Sequence, residues 1–335
     1  MPEWIGPSAS RSGQCDKLSA MSFTRQGSIH LTRVAGIDLS LHWSWFIVAA
    51  IEIASRSGRY SSWFWNVLEY LALFGIVLLH EFGHALACRQ VGGTADRIML
   101  WPLGGMAYVN PPSRPGATLW SLAAGPLVNV ALLLPLGALG GRYLLAELHG
   151  QPGPQSDIAT WLATVLWINI GLLIFNILPI YPLDGGQILR SLLWFVLGRA
   201  RSLAVATAVG FVGVAGFLYL AWRLHSAWLL LISGYMLMNC WSGFQNARAM
   251  LRNEKRPRRE GFACPGCGAK PPLGELWKCA GCGQTFDTFA TAAACPRCGA
   301  QFPNTMCGTC HQLHPMSEWI SNAYAHTGAA GNGAS

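Results

Sequence analysis

Charge is the scarcest property of this 335-residue chain: Asp, Glu, Lys and Arg together make up 11% of it, against roughly a quarter in ordinary soluble domains. A globule of this size with so thin a charged surface would not stay dispersed in water, so the composition argues against a fully soluble protein. An apolar run near the start is also missing. Residues 1–38 are polar and carry Arg11, Lys17, Arg25 and Arg33, and a cleaved secretory signal is therefore not expected. Acidic groups are rarer than basic ones, 15 against 23, which leaves a formal net charge of +8. Apolar residues, by contrast, reach 52%, with 15 Trp and 14 Phe. Collagen, long coiled coil and wholesale disorder do not have that composition.

Six apolar stretches fill the middle of the chain, at 39–54, 63–88, 117–139, 158–180, 203–222 and 227–244. The last four hold no charged residue and, at about 1.5 Å per residue, have the length to cross a hydrocarbon core of about 30 Å. The first is short and carries His42 and Glu52. The expected fold is an all-α polytopic membrane protein with about six transmembrane helices. Lys and Arg set the orientation: with a cytosolic N-terminus, the segments on that side hold nineteen of the 23 basic residues, which predicts both termini in the cytosol of a multi-pass cell-membrane protein. The +8 then reads as a cytosolic face. The run Arg248, Arg252, Lys255, Arg256, Arg258 and Arg259 is expected to meet lipid headgroups of the bilayer, and nucleic acid is not an expected partner.

Eight of the eleven Cys form a four-fold repeat: Cys264/Cys267, Cys279/Cys282, Cys295/Cys298 and Cys307/Cys310. A CxxC turn aims two sulfurs at one centre, and a second turn completes a tetrahedral thiolate site for structural zinc. Gly268, Gly283 and Gly299 follow three of the turns, where such knuckles commonly need positive φ. Two tandem zinc ribbons are the simplest pairing, with an interleaved pairing as the alternative. A disulfide module would conflict with a reduced cytosolic tail. Trp277, Phe286, Phe289, Phe302 and Trp319 are expected to form a thin core, and a cytosolic protein is the expected partner of the module. Cys15, Cys88 and Cys240 receive no role. The domains expected are 1–38, an N-terminal segment; 39–245, the membrane unit; 246–261, a basic linker; 262–320, the ribbons; and 321–335, a disordered tail.

The second apolar stretch holds His80-Glu81-Phe82-Gly83-His84. On a helix, positions i and i+4 share a face, so both imidazoles can grip one zinc, and Glu81 beside them is the base that takes a proton from water. A charged carboxylate at membrane depth is unfavourable by about 2.5–3.5 kcal/mol, and a metal compensates for that cluster. Pro182-Leu183-Asp184-Gly185-Gly186 follows the fourth stretch at similar depth on the same side, and Asp184 is the natural third ligand.

These motifs resemble the site-2 protease family, the zinc metalloproteases that cleave within the membrane. The resemblance rests on HEFGH at 80–84, LWPLGGMAYV at 100–109, AAGPLVN at 123–129 and FNILPIYPLDGG at 175–186, with SLHWSW at 40–45. It implies zinc held by His80, His84 and Asp184, with Glu81 as general base. It also implies that Asn176, and in the same way Asn129, hydrogen-bonds the scissile carbonyl or oxyanion; for Asn129 an interhelical hydrogen bond is the alternative. Residues 103–109 resemble the family's membrane-associated hairpin, whose edge can pair with an extended substrate. The implied function is intramembrane hydrolysis of a single-span membrane protein substrate (regulated intramembrane proteolysis), with one catalytic and two structural zinc ions. A membrane zinc scaffold or transporter is the alternative. After the last span, where compact relatives carry a nucleotide-sensing CBS pair, this chain has its Cys repeat.

Overall fold

The computed structural model describes residues 4–5, 27–56, 58–101, 104–149, 156–310 and 312–320. The expected tail 321–335 and most of the N-terminal segment lie outside the described residues. Contacts divide the chain into two compact units, Ala20–Phe244 and Met1–Ser19 with Gln245–Ser335.

Among the described residues, five helices are long and apolar enough to cross a membrane: α2 (Trp63–Gln90), α3 (Pro115–Leu148), α4 (Asp157–Ile177), α5 (Asp184–Arg223) and α6 (Ala227–Glu254). The hydroxyl of Ser62 starts α2 by accepting from the Phe64 N–H, the usual way an orphan helix donor is satisfied. The inward residues of α2 recur every three to four positions, among them Asn66, Glu69, Val77, His80, His84 and Cys88, which gives one packed stripe. Helix α3 packs most extensively against α2 and α4. Helix α5 breaks at Gly198, with φ 77° and ψ 170°, a conformation open to glycine and strained for residues with a Cβ.

The stretch 39–54 is not a spanning helix, which corrects the expected count of six. Its first part belongs to strand β3 (Ile37–His42), and only α1 (Ser44–Ser55), twelve residues, is helical; that is about 18 Å of helix against a core of about 30 Å. Strand β3 joins a four-stranded sheet in the order β2 (Ser28–Val34), β3, β4 (Thr94–Trp101), β5 (Gly104–Asn110). It pairs antiparallel to β2 and parallel to β4, so its backbone groups are satisfied from both sides and need no helix to enter an apolar region. The hairpin expected at 103–109 is thus one half of a larger sheet. Ile37, Leu39, Leu41, Ile98 and Leu100 of that sheet form a core with Trp45, Val77 and Ala85.

The path of this segment relative to α2 is clear from its contacts. Arg89, at the C-terminal end of α2, donates to the Gly36 carbonyl in the β2–β3 turn (3.0 Å). Further along, the Trp45 carbonyl accepts from Tyr70 (2.8 Å), and Arg56 pairs with Glu69. The chain therefore climbs from one end of α2 to the other through β3 and α1 together.

The smaller unit carries short strands β1 (Trp4–Ile5), β6 (Trp277–Lys278), β7 (Thr285–Phe286), β8 (Asn304–Met306) and β9 (Leu313–Pro315). They form one sheet ordered β1-β6-β7 and one hairpin, β8-β9. Phe286, Phe289, Phe302 and Trp319 are buried, and Trp277 packs against them, as the aromatic content suggests. The basic linker is not a separate segment. Helix α6 runs to Glu254, Arg258 bridges to Pro272, and Arg259 pairs with Asp287 at 2.5 Å. These contacts tie both arginines into the small unit.

Candidate metal centre

His80 and His84 lie one turn apart on the buried stripe of α2. Asp184 is the first residue of α5 and follows a tight turn over 178–183, closed by Ile180 N–H to Leu178 O (2.7 Å) and Leu183 N–H to Ile180 O (2.9 Å). That turn is seated against α5 and α6. The Cys240 thiol donates to the Tyr181 carbonyl at 2.8 Å, and Ile180, Tyr181 and Leu183 pack on the buried cluster of Val214, Met236 and Cys240. Cys240, to which the sequence assigned nothing, thus helps place a ligand-bearing turn.

The three expected ligands converge. His80 Nε2 and His84 Nε2 are 3.1 Å apart and lie 3.0 and 3.2 Å from Asp184 Oδ2. A tetrahedral ion with bonds of about 2.0–2.1 Å has donors about 3.3 Å apart, so the set needs only a small expansion to hold one. The ring hydrogen bonds point the same way. His84 Nδ1 donates to the Ser121 carbonyl (2.8 Å) and His80 Nδ1 to Asn129 Oδ1 (2.6 Å). With both Nδ1 protons so placed, the neutral rings turn two Nε2 lone pairs onto a carboxylate oxygen. Three lone pairs aimed at one point fit a cation and little else.

Helix α3 closes the site from the other side. A Cβ on Gly125 would lie 2.3 Å from His84 Nε2 and 2.8 Å from His80 Nε2, so only glycine lets this backbone approach the ligand atoms. The Gly-Pro motif signalled that approach, although its purpose was not legible. Glu81 is buried beside the ligands. Its Oε2 accepts from the Ala107 N–H of β5 at 2.9 Å, and a Cβ on Gly105 would lie 2.3–2.4 Å from its side chain. Strand β5 is the last in its sheet, and its Ala107 N–H points at Glu81.

The two asparagines fare differently from their expected role on a substrate carbonyl. Asn129 is fully buried, and its amide is already committed to His80 and to Asn169. The interhelical hydrogen bond is the arrangement found, because α3 presents Asn129 to the imidazole and not to open space. Asn176 is half-buried in the last turn of α4, and the hydrogen bonds of His80, His84 and Asp184 do not include it. Sequence reasoning missed Asn169, Ser121 and Ala107; the last two act through backbone atoms, which leave no residue-type signal.

Glu69 lies about 16 Å along α2 from His80. It is 3% exposed, pairs with Arg56, and accepts from Tyr60 at 2.5 Å. Burial and this hydrogen bond push the Tyr60 phenol up to about 12, so it stays a donor. This network ties α1 to α2 and is separate from the metal centre.

The eight cysteines gather into two groups of four, but neither tandem nor interleaved. Cys264, Cys267, Cys307 and Cys310 form one, and Cys279, Cys282, Cys295 and Cys298 the other: the inner pairs nest inside the outer. Sulfur separations across each site are 3.5–3.7 Å, against about 3.8 Å for tetrahedral Zn–S bonds of about 2.3 Å. Gly268, Gly283 and Gly299 have φ near +70° and donate to Cys264, Cys279 and Cys295 carbonyls, as knuckle turns require. The outer site closes a much longer loop, Cys267 to Cys307, than a tandem pairing would, which costs only about 1 kcal/mol more in closure entropy. Packing decides: Cys264, Phe289, Cys307 and Trp319 share a core, and Ala263 N–H donates to Trp319 O (3.1 Å).

Residues 69–220 match the model of Peptidase family M50. A zinc metalloprotease of Methanocaldococcus jannaschii is 32% identical over 183 residues, 55% of this chain and 50% of that protein. Rip3 of Mycobacterium tuberculosis is 32% identical over 178 residues, 50% of this chain and 44% of that protein. The chain thus spans about half the length of the curated relatives it matches. Among solved structures, a site-2 protease from Methanocaldococcus jannaschii aligns at a TM-score of 0.47 and 28% identity, covering 65% of this chain and 95% of that one. The stretch that matches the family M50 model contains His80, Glu81, His84 and Asp184, and the relatives similar to it include a zinc metalloprotease.

Proposed function

We propose that this chain is a zinc-dependent endopeptidase that hydrolyses peptide bonds in transmembrane substrates. The observation that supports this best is the convergence of two Nε2 atoms and a carboxylate oxygen, with Glu81 beside them. His80, His84 and Asp184 would hold the ion. Zinc bound there supplies a Lewis acid that acidifies water and polarises a carbonyl. Glu81 takes the proton of the attacking water and passes it to the departing amine. The Ala107 N–H orients that carboxylate and ties the base to strand β5. The same strand edge offers backbone groups to a substrate drawn out of its helix, since a helical peptide bond is hidden from water and an extended one can pair. Asn176 stands at the end of α4 near the Asp184 turn, where a carbonyl of the substrate is its proposed partner.

The eight cysteines are proposed to hold two structural zinc ions and to form a surface for a cytosolic protein partner. Sidedness follows from charge. Arg89, Arg97, Arg114, Arg190, Arg199 and Arg201 belong to the side where α2 ends and α5 begins, against Arg56, Arg59, Arg142 and Arg223 on the other, so the former is inferred to be cytosolic.

The test is cleavage of a single-span model substrate in proteoliposomes by the full chain. Glu81→Gln, with metal content unchanged, is expected to lower the rate by about 10²–10⁴-fold. Equal rates for variant and wild type would refute the mechanism. Zinc flux into the vesicles without new peptide termini would favour a transporter instead.

A further inference from the structure

A metal ligand works only if its ring presents the right nitrogen, and the two histidines secure this by different means. For His84 the device is direct: its Nδ1 meets the Ser121 carbonyl, a group that can only accept. For His80 the partner is the Asn129 side chain, and an amide is ambiguous. Turned by 180°, it would present an NH₂ group, which would bond to a bare Nδ1 and leave the proton on Nε2, where the ion must bind. Something has to fix that amide.

Asn169 on α4 is placed to do so. Its Nδ2 donates to the Asn129 backbone carbonyl at 3.0 Å, and its Oδ1 accepts from Asn129 Nδ2 at 2.9 Å. Both asparagines are 0% exposed, so water offers neither a substitute partner. The chain of roles starts from the one group in it that cannot change. A backbone carbonyl only accepts, so Asn169 must point its NH₂ there. Its oxygen then faces Asn129, which must answer with its own NH₂, and the Asn129 oxygen is left facing His80. We propose that Asn169 is a positioning residue that locks the Asn129 amide and thereby sets the proton on His80 Nδ1, keeping Nε2 free for the metal. This rests on the metal reading of His80, His84 and Asp184 given above.

Cadmium NMR of the full chain in detergent tests it, because ions held by nitrogen and oxygen resonate apart from ions held by four thiolates. The thiolate signals, which come from the smaller unit, calibrate cadmium loading in every sample, and far-UV circular dichroism of the same samples reports the helices of the larger unit. In competition with a chelator, Asn169→Leu is expected to weaken the nitrogen/oxygen site by about 10–100-fold and to leave both thiolate sites unchanged. In an Asn129→Asp background, either orientation of the side chain presents an acceptor, so adding Asn169→Leu should weaken the site by less than about threefold. Equal losses in the two backgrounds, or no loss in either, would overturn the proposal. Should Asn169→Leu fail to fold, nitrogen NMR of labelled histidines in the cadmium-loaded wild type decides: coupling at His80 Nε2 with a proton on Nδ1 supports the lock, and cadmium on Nδ1 overturns it. A wild-type chain with no nitrogen/oxygen-held cadmium, or a signal that survives His84→Ala, would instead remove the metal reading and the lock with it.

Discussion

Gly125 and Gly105 touch the same centre from opposite sides, and substitution separates their effects. An alanine methyl at Gly125 enters the point where the Nε2 lone pairs meet, 2.3 Å from His84. Gly125→Ala should lose one metal per chain while the thiolate-bound ions stay, as metal analysis of the purified protein would show. The methyl of Gly105→Ala strikes the Glu81 carboxylate, not the ligands. That variant should keep its full metal content and cleave about 10²–10⁴-fold more slowly; loss of metal in it would contradict the division of roles. At this scale much was legible in the sequence. His80, Glu81, His84 and Asp184 stand out because their side chains are of the types that the proposed chemistry needs, and the structure brings His80, His84 and Asp184 together. Ser121 and Ala107 do not stand out, since nearly every residue has a carbonyl and an N–H, and for Asn129 the sequence left a substrate carbonyl and an interhelical hydrogen bond open, the contact with His80 being of the second kind.

Among the elements, the segment before α2 shows how pairing overrides hydropathy. By composition 39–54 is one apolar run, yet β2 and β4 offer its first part a sheet that pairs its backbone on both sides. What remains is a twelve-residue helix that completes the climb along α2. Single cysteines introduced at Gly58 and Gly92 should therefore react with a membrane-impermeant thiol reagent from opposite faces, and cysteines at Ala35, in the turn that Arg89 holds, and Gly92 from the same face. Reaction of positions 35 and 58 from one face would mean that β3 and α1 do not carry the chain across. The kink in α5 makes a second element-scale case: at φ 77° and ψ 170°, Gly198→Ala should lower the thermal midpoint by several degrees, reflecting about 1–3 kcal/mol of strain in a backbone conformation that is essentially glycine's alone.

On the scale of the whole molecule, the nested cysteine sites give the clearest prediction. With three ions bound per chain, Cys264→Ser and Cys310→Ser should each remove one, and the double variant no more than one, because both belong to the outer site. Cys264→Ser with Cys279→Ser should remove two. A tandem arrangement predicts the reverse pattern, and metal stoichiometry distinguishes them. The amino-acid sequence by itself determined the membrane setting, the ligand types and their spacing, because burial energy and metal affinity act on side chains near one another in the chain. The tertiary structure alone decided the sheet that replaces a first helix, the pairing of the CxxC turns and the Asn169–Asn129–His80 relay. Each of these joins groups far apart in sequence, and the packing and hydrogen bonding that outweigh the small cost of closing a longer loop are recorded in no local pattern.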